Sequence, residues 1–140
     1  MTYIKRNVEQ KIHQLLSFFP VVLIVGPRQV GKTTLAKKCV PSWEYYDLEK
    51  GKDFDYITRD IDFFFQEHKD HLIIDEAQEY PQLFKELRSV VDNDRQKKGR
   101  FLLTGSSSPD LLQSVSDTLA GRVGLVELGT LKINEVHHKP

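Results

Sequence analysis

The sequence predicts an α/β fold, a parallel β-sheet buried between helices. Three observations point there. The short apolar runs at 21–25 and 72–74 lack polar alternation, as strands covered on both faces do. Longer stretches with apolar residues at helical spacing separate the strands. The first apolar run passes through Gly26-Pro27-Arg28-Gln29-Val30-Gly31-Lys32-Thr33 into a helix, with glycines where the backbone must turn.

Each element has its own justification. Over residues 4–18, Ile4, Val8, Ile12, Leu15 and Phe19 recur at helical spacing, which predicts an amphipathic helix that covers the sheet and leads to Pro20. Strand Val21–Val25, the glycine loop and helix Lys32–Cys39 follow, and Pro41 stops that helix. Residues 43–48, WEYYDL, predict a second, aromatic-rich strand. Asp47 and Glu49 fall at its C-terminal end, where open α/β sheets bind ligands; they read as solvated loop carboxylates or as groups facing a partner. Residues 57–67 predict one helix with Ile57, Ile61, Phe64 and Phe65 on its buried face, and Phe63 off it as a weak pointer to an interface. His68 and His71 straddle the next helix-to-strand junction, with no cysteine or paired histidine to complete a metal site.

Residues 71–76 predict the third strand, and Pro81 opens a long helix over 81–96 with Leu83, Phe84, Leu87, Val90 and Val91 on one face. Residues 100–105 predict the fourth strand. A helix over 111–120 follows, with Ser108 as its N-cap and Gly121 closing it. Residues 122–128 predict the fifth strand, and His137-His138-Lys139-Pro140 ends in a polar run, as at a domain boundary.

The glycine loop fits G-x-x-x-x-G-K-[ST], the phosphate-binding loop or Walker A motif. Its successive N–H groups make an anion nest, and the helix that opens at Lys32 aims its positive dipole end at the same place. Gly26, Pro27, Arg28, Gln29, Val30, Gly31, Lys32, Thr33 and Thr34 are therefore the candidate nucleotide-binding residues. The Lys32 ammonium reaches β- and γ-phosphates in such loops, and the Thr33 hydroxyl ligates Mg²⁺. Downstream, the apolar run 71–74 ends in Asp75-Glu76, where a protein with this loop needs its Walker B acids. Because successive strand residues point opposite ways, one acid can meet Mg²⁺ while the other is directed at water. Asp75 is assigned to Mg²⁺ through a coordinated water, and Glu76 as general base. Thr104, Ser106, Ser107 and Ser108 close the fourth strand, with Thr104 or Ser106 as the hydroxyl that senses phosphate.

Composition bounds the rest. The chain of 140 residues suits one domain, 1–140, and 20 basic against 20 acidic residues leave no global charge to steer nucleic acid or an acidic partner. The local cluster Lys97, Lys98 and Arg100 reads as a solvated turn. A single cysteine, Cys39, fits a reducing, cytoplasmic setting, and neither a membrane span nor a signal-peptide pattern is evident.

GPRQVGKTTL, Asp75-Glu76-x-Gln78, LLTGSSS, and LAGR at 119–122 occur in this order, after the opening Tyr3-Ile4-Lys5-Arg6. Together they resemble the prokaryotic AAA-like ATPases that carry a P-loop domain followed by a separate C-terminal domain. The resemblance covers essentially the whole chain. It implies a three-layer P-loop NTPase sandwich, with a five-stranded parallel sheet in the order 5-1-4-3-2. It implies ATP and Mg²⁺ as cofactors, a sensor within 104–106, and Arg122 as a phosphate-contacting or subunit-bridging arginine. It also implies that residues 1–140 are the N-terminal part of a longer protein, whose C-terminal region would bring copies together. A competing reading pairs Arg122 with a nearby carboxylate at the start of the fifth strand.

Three functions compete: an ATP hydrolase that acts on a nucleic-acid or protein client, a nucleotide-dependent binding switch with negligible turnover, and a small-molecule kinase. The water-directed Glu76 favours hydrolysis over a kinase, which must keep water out. No N-K-x-D guanine-recognition motif occurs, which favours adenine.

Overall fold

The run Val21–Val25 forms β1, buried at every position because it is a central strand with helices over both faces. Strand β4 (Phe101–Gly105) pairs with it in parallel on one side and β5 (Val123–Glu127) on the other. β3 (Leu72–Asp75) joins β4, and β2 (Glu44–Asp47) joins β3 at the edge. The five-stranded sheet thus runs β2-β3-β4-β1-β5, the expected order read from its other edge. The structure is a computed structural model that describes residues 2–27 and 31–129, with side chains from residue 7 onward. Arg28, Gln29 and Val30, the side chains of Tyr3 to Arg6, and the final His-His-Lys-Pro run lie outside the described residues.

Strand alternation divides the core into two layers. Val22, Ile24, Ile73 and Leu102 face Ile12 and Leu16 of α1 (Thr2–Phe18) and Leu35, Ala36 and Cys39 of α2 (Lys32–Cys39). Val21, Leu23, Ile74 and Leu103 face the other way. There they meet α3 (Gly51–Thr58), α4 (Ile61–Glu67), α5 (Leu83–Asp92) and α6 (Pro109–Leu119) through Ile57, Phe64, Phe84, Leu87 and Val115. Cys39 belongs to this packing: burial, then the Glu9 charge, push its thiol up to about 11, so it is a core residue and not a nucleophile. Among the described residues no helix is long and apolar enough to cross a membrane.

Several local expectations are corrected. The single helix over 57–67 is two helices, because the Asp60 side chain accepts the Phe63 N–H and caps α4, ending α3 before it. The helix over 81–96 is shorter at both ends: Pro81 and Gln82 make a turn, and Asn93 and Asp94, weak helix formers, leave it in turns. The basic cluster is not simply solvated. Arg100 is buried, donating to Asp70 and to the Val90 and Lys69 carbonyls, while Lys97 donates to the other Asp70 oxygen. Asp47 folds into a turn, accepting the Glu49 N–H and donating its own N–H to Asp53. Ser108 caps α6 as expected, and Gly121 takes the left-handed φ of 78° that ends it.

The order β3-β4-β1 is what builds a site. It puts the loop after β1, the acids after β3 and the serines after β4 side by side at the C-terminal edge of the sheet, where open α/β folds bind ligands. The Gly26 N–H donates to the Gly105 carbonyl at 3.2 Å and ties the start of the loop to β4.

Candidate functional site

Gly31 sits at φ 82°, ψ 29° as the N-cap of α2, with nothing within 4 Å of where a Cβ would stand. Its glycine is demanded by the left-handed torsion and not by space. One residue on, Lys32 is 4% exposed, and its ammonium donates to the carbonyls of Gly26 (2.7 Å) and Pro27 (3.0 Å). Among the described residues no carboxylate pairs with it, so its charge is solvated by the loop but not neutralised. Thr33 is half-buried on the sheet side of α2, and Thr34 is exposed.

Asp75 is 3% exposed at the end of β3. Its Oδ2 accepts the Thr33 hydroxyl at 2.7 Å and the Tyr45 hydroxyl at 2.6 Å, and its Oδ1 accepts the Thr104 hydroxyl. Among the described residues it has no basic partner. Thr104 is fully buried, and its oxygen also accepts the Glu76 N–H at 3.0 Å. This corrects the phosphate-sensing role considered for Thr104: its hydroxyl is committed to the two acids below the cleft. Ser106 reaches the cleft instead.

Glu76 turns away from Asp75 by a different route from the one expected. β3 stops at Asp75, and Glu76 adopts φ 60°, ψ 54°, so a left-handed backbone and not strand alternation separates the two carboxylates. For a residue with a side chain that conformation costs about 1–3 kcal/mol, and such strain collects at functional sites. Gln78 holds the result: its Nε2 donates to Glu76 Oε1 at 2.8 Å, while its Oε1 accepts the Ser106 N–H at 3.1 Å. Gly105 leaves room for this amide, since a Cβ there would lie 3.2 Å from Gln78 Oε1 and 2.7 Å from Leu111.

A cleft of about 380 Å³ opens between these parts, lined by Gly26, Pro27, Lys32, Glu76, Gln78, Ser106, Ser107 and Ser108. The structure therefore brings together the loop lysine, the acid pair and the serines. It does not bring Arg122. That residue precedes β5, and Val123 pairs with Val21, so it sits at the opposite edge of the sheet from the loop. There it forms a fork with Asp92, Nε to Oδ1 at 2.8 Å and Nη2 to Oδ2 at 2.9 Å. The expectation that Arg122 contacts phosphate within its own chain is corrected, and the carboxylate pairing is what the structure holds.

Among the described residues there is no group of His, Cys, Asp and Glu that could cage a metal. The Thr33 hydroxyl and Asp75 carboxylate are hard oxygens at one point, which fits an ion that keeps its waters and takes its other ligands from phosphate. Tyr45 was missed in the sequence. Its signal lay in the WEYYDL alternation, which puts Trp43 and Tyr45 on the α2 side and Tyr46 and Leu48 on the other.

Comparisons with known proteins give the family and the fold. A family described as "AAA domain" matches residues 19–137. Two uncharacterized proteins, Mb2031c of Mycobacterium bovis and Rv2008c of Mycobacterium tuberculosis, are each 40% identical over 135 residues. The match takes in 94% of this chain but only 30% of either relative, so the chain spans under a third of their length. The Walker-type ATPase PABY2304 of Pyrococcus abyssi shares the fold at a TM-score of 0.58 and 17% identity, covering 97% of this chain and 59% of that one.

Proposed function

We propose, for a chain that belongs to the AAA domain family, that the cleft binds ATP with Mg²⁺ and hydrolyses it. One observation carries the reading: among the described residues, a buried lysine donates only to carbonyls, and the next residue, Thr33, donates to a buried aspartate whose carboxylate is held only by hydroxyls. Buried charges are ordinarily paired. A magnesium–triphosphate supplies the missing partner of each, an anion for Lys32 and a cation for Asp75.

The chain's own groups then divide the work. Lys32 and the N-terminus of α2 bind phosphate, with Gly26 to Thr34 as the cradle. Thr33 and Asp75 hold the metal, which when bound neutralises charge on the phosphates. Glu76 takes the proton from the attacking water, Gln78 fixes the orientation of its carboxylate, and Ser106 contacts the γ-phosphate. Turnover would be coupled to a macromolecular client, nucleic acid or protein, in a cytoplasmic setting. Assembly with further copies would involve regions beyond these residues.

A second reading rests on the Gln78–Glu76 hydrogen bond. If that bond keeps the carboxylate from water, the domain is a binding switch with negligible turnover. Phosphate release and ATP binding, measured on the parent chain and Glu76→Gln, separate the readings. Hydrolysis predicts retained binding and a turnover loss of about 10²–10⁴-fold in Glu76→Gln. Equal turnover in both would remove the base; binding without release in the parent would establish the switch.

A further inference from the structure

Asp75 is the residue on which the metal reading turns, and the donor least explained by it is the phenol of Tyr45. β2 and β3 pair with Tyr45 opposite Ile73 and Asp47 opposite Asp75, so Tyr45 lies diagonal to Asp75 across neighbouring strands. Diagonal neighbours are within reach of aromatic side chains. Tyr45 uses that reach to place its hydroxyl 2.6 Å from Oδ2, the same oxygen that receives the Thr33 hydroxyl. On the outer side, the Lys37 ammonium stands 3.9 Å from the centre of the Tyr45 ring. A cation over the ring face draws electron density from the phenol, strengthens its O–H as a donor and pins the ring. The contacts form a line from an exposed lysine on α2, through the edge strand, to a buried carboxylate.

We propose that Tyr45 is a positioning residue for the metal site, and that Lys37 supports it from the surface. The inference rests on the assignment of Asp75 and Thr33 to Mg²⁺. Thr33 can give a lone pair to a metal while its O–H still donates to Oδ2. Oδ2 then carries donors from two elements, α2 and β2, and Oδ1 carries Thr104 from β4. With Tyr45 in place the carboxylate plane is fixed from both ends, and its one remaining lone pair, on Oδ1, keeps one direction. Without the phenol, Oδ2 is held only by the residue that must also serve the metal, and the carboxylate is freer to turn. Groups that orient a ligand in this way ordinarily govern metal affinity by 10- to 100-fold. They act on the metal and leave nucleotide contacts elsewhere alone, which makes the role separable from general packing.

The test uses the intact chain, a non-hydrolysable ATP analogue with an imido bridge, and calorimetry in EDTA and across a Mg²⁺ series. In EDTA, Tyr45→Phe and Lys37→Met should bind the analogue within about twofold of the parent, because Lys32 and the loop are untouched. The Mg²⁺ concentration that gives half of the metal-dependent tightening should rise about tenfold in Tyr45→Phe. In Lys37→Met, which alters an exposed side chain and tests the same line should Tyr45→Phe fold poorly, it should rise about two- to fivefold. A parent chain that ignores Mg²⁺ would overturn the metal assignment and this inference together. A parent that responds, with both variants responding at the same Mg²⁺, would overturn the role of Tyr45 alone. An equal loss of affinity in EDTA and in Mg²⁺ would overturn it too, as the mark of loosened packing.

Discussion

At the N-terminal end of β3, Asp70 is held by the guanidinium of Arg100 and the ammonium of Lys97. At the C-terminal end of the same strand, Asp75 is held by the hydroxyls of Thr33, Tyr45 and Thr104. The pattern repeats along each edge. Below the sheet, Asp92 is forked by Arg122. Above it, Glu76 meets an amide and Lys32 meets carbonyls. The lower edge closes its charges within the chain, which serves stability. Among the described residues the upper edge satisfies hydrogen bonds but leaves charge open, and a site left so is ready for an ion of the opposite sign.

The largest expected effect belongs to the lower edge. Arg100 is 5% exposed, and its removal strips Asp70 of its main partner. We predict that Arg100→Ala lowers unfolding free energy by about 2–4 kcal/mol, read by urea denaturation, with the change confined to stability. Lys32→Ala should do the opposite. It should leave the denaturation midpoint nearly unchanged while weakening ATP binding about 100-fold, read by calorimetry, because alanine has no ammonium to meet phosphate.

The next prediction sharpens the contrast through pH. Burial by itself would raise the Asp70 pKa, but the Arg100 and Lys97 hydrogen bonds prevail and hold it below its ordinary 3.8. A carboxylate lowered in the folded state stabilises above its unfolded pKa, and that contribution is lost as pH falls through the folded one. The parent should therefore lose stability as pH drops below 3.8, and Arg100→Ala should show less of this loss, because it has already forfeited the pair. The smallest effect is at Arg122. Its partner Asp92 is exposed to solvent, so Arg122→Ala should barely move the denaturation midpoint and should leave ATP affinity unchanged.

The upper half of this contrast is legible in the sequence, the lower half is not, and the difference has a physical reason. The Walker A loop and Asp75-Glu76 could be read because their spacing reflects chemistry within a few residues of a strand end. The sheet order came with the resemblance, since nothing local says which strand lies beside which. Asp60 was passed over because Ile57, Ile61, Phe64 and Phe65 keep helical spacing across it, and a capping aspartate overrides a periodic pattern. Tyr45, Gln78 and Thr104 act through partners 30, 2 and 29 positions away, respectively. Only the pairing of β2 with β3 and of β3 with β4 makes the two distant contacts possible. For Arg122 two readings stayed open for the same reason, since its sequence neighbours do not reveal which end of the sheet it faces; the structure holds the carboxylate pair, with Asp92.

The central claim, that the upper edge leaves charge open which the lower edge closes, is tested most directly by one paired measurement. Urea denaturation of Asp75→Asn and Asp70→Asn should be compared with the parent in EDTA without nucleotide. Hydroxyls donate or accept, so Thr33, Tyr45 and Thr104 can turn to suit an asparagine, whereas Arg100 and Lys97 cannot. The account predicts that Asp75→Asn is as stable as the parent or more so, while Asp70→Asn loses about 2–3 kcal/mol. Addition of ATP with Mg²⁺ should then stabilise the parent clearly more than Asp75→Asn, which keeps only the metal-independent contacts of Lys32 and the loop. Asp75→Asn as destabilised as Asp70→Asn, or stabilised by ATP with Mg²⁺ as much as the parent, would contradict it.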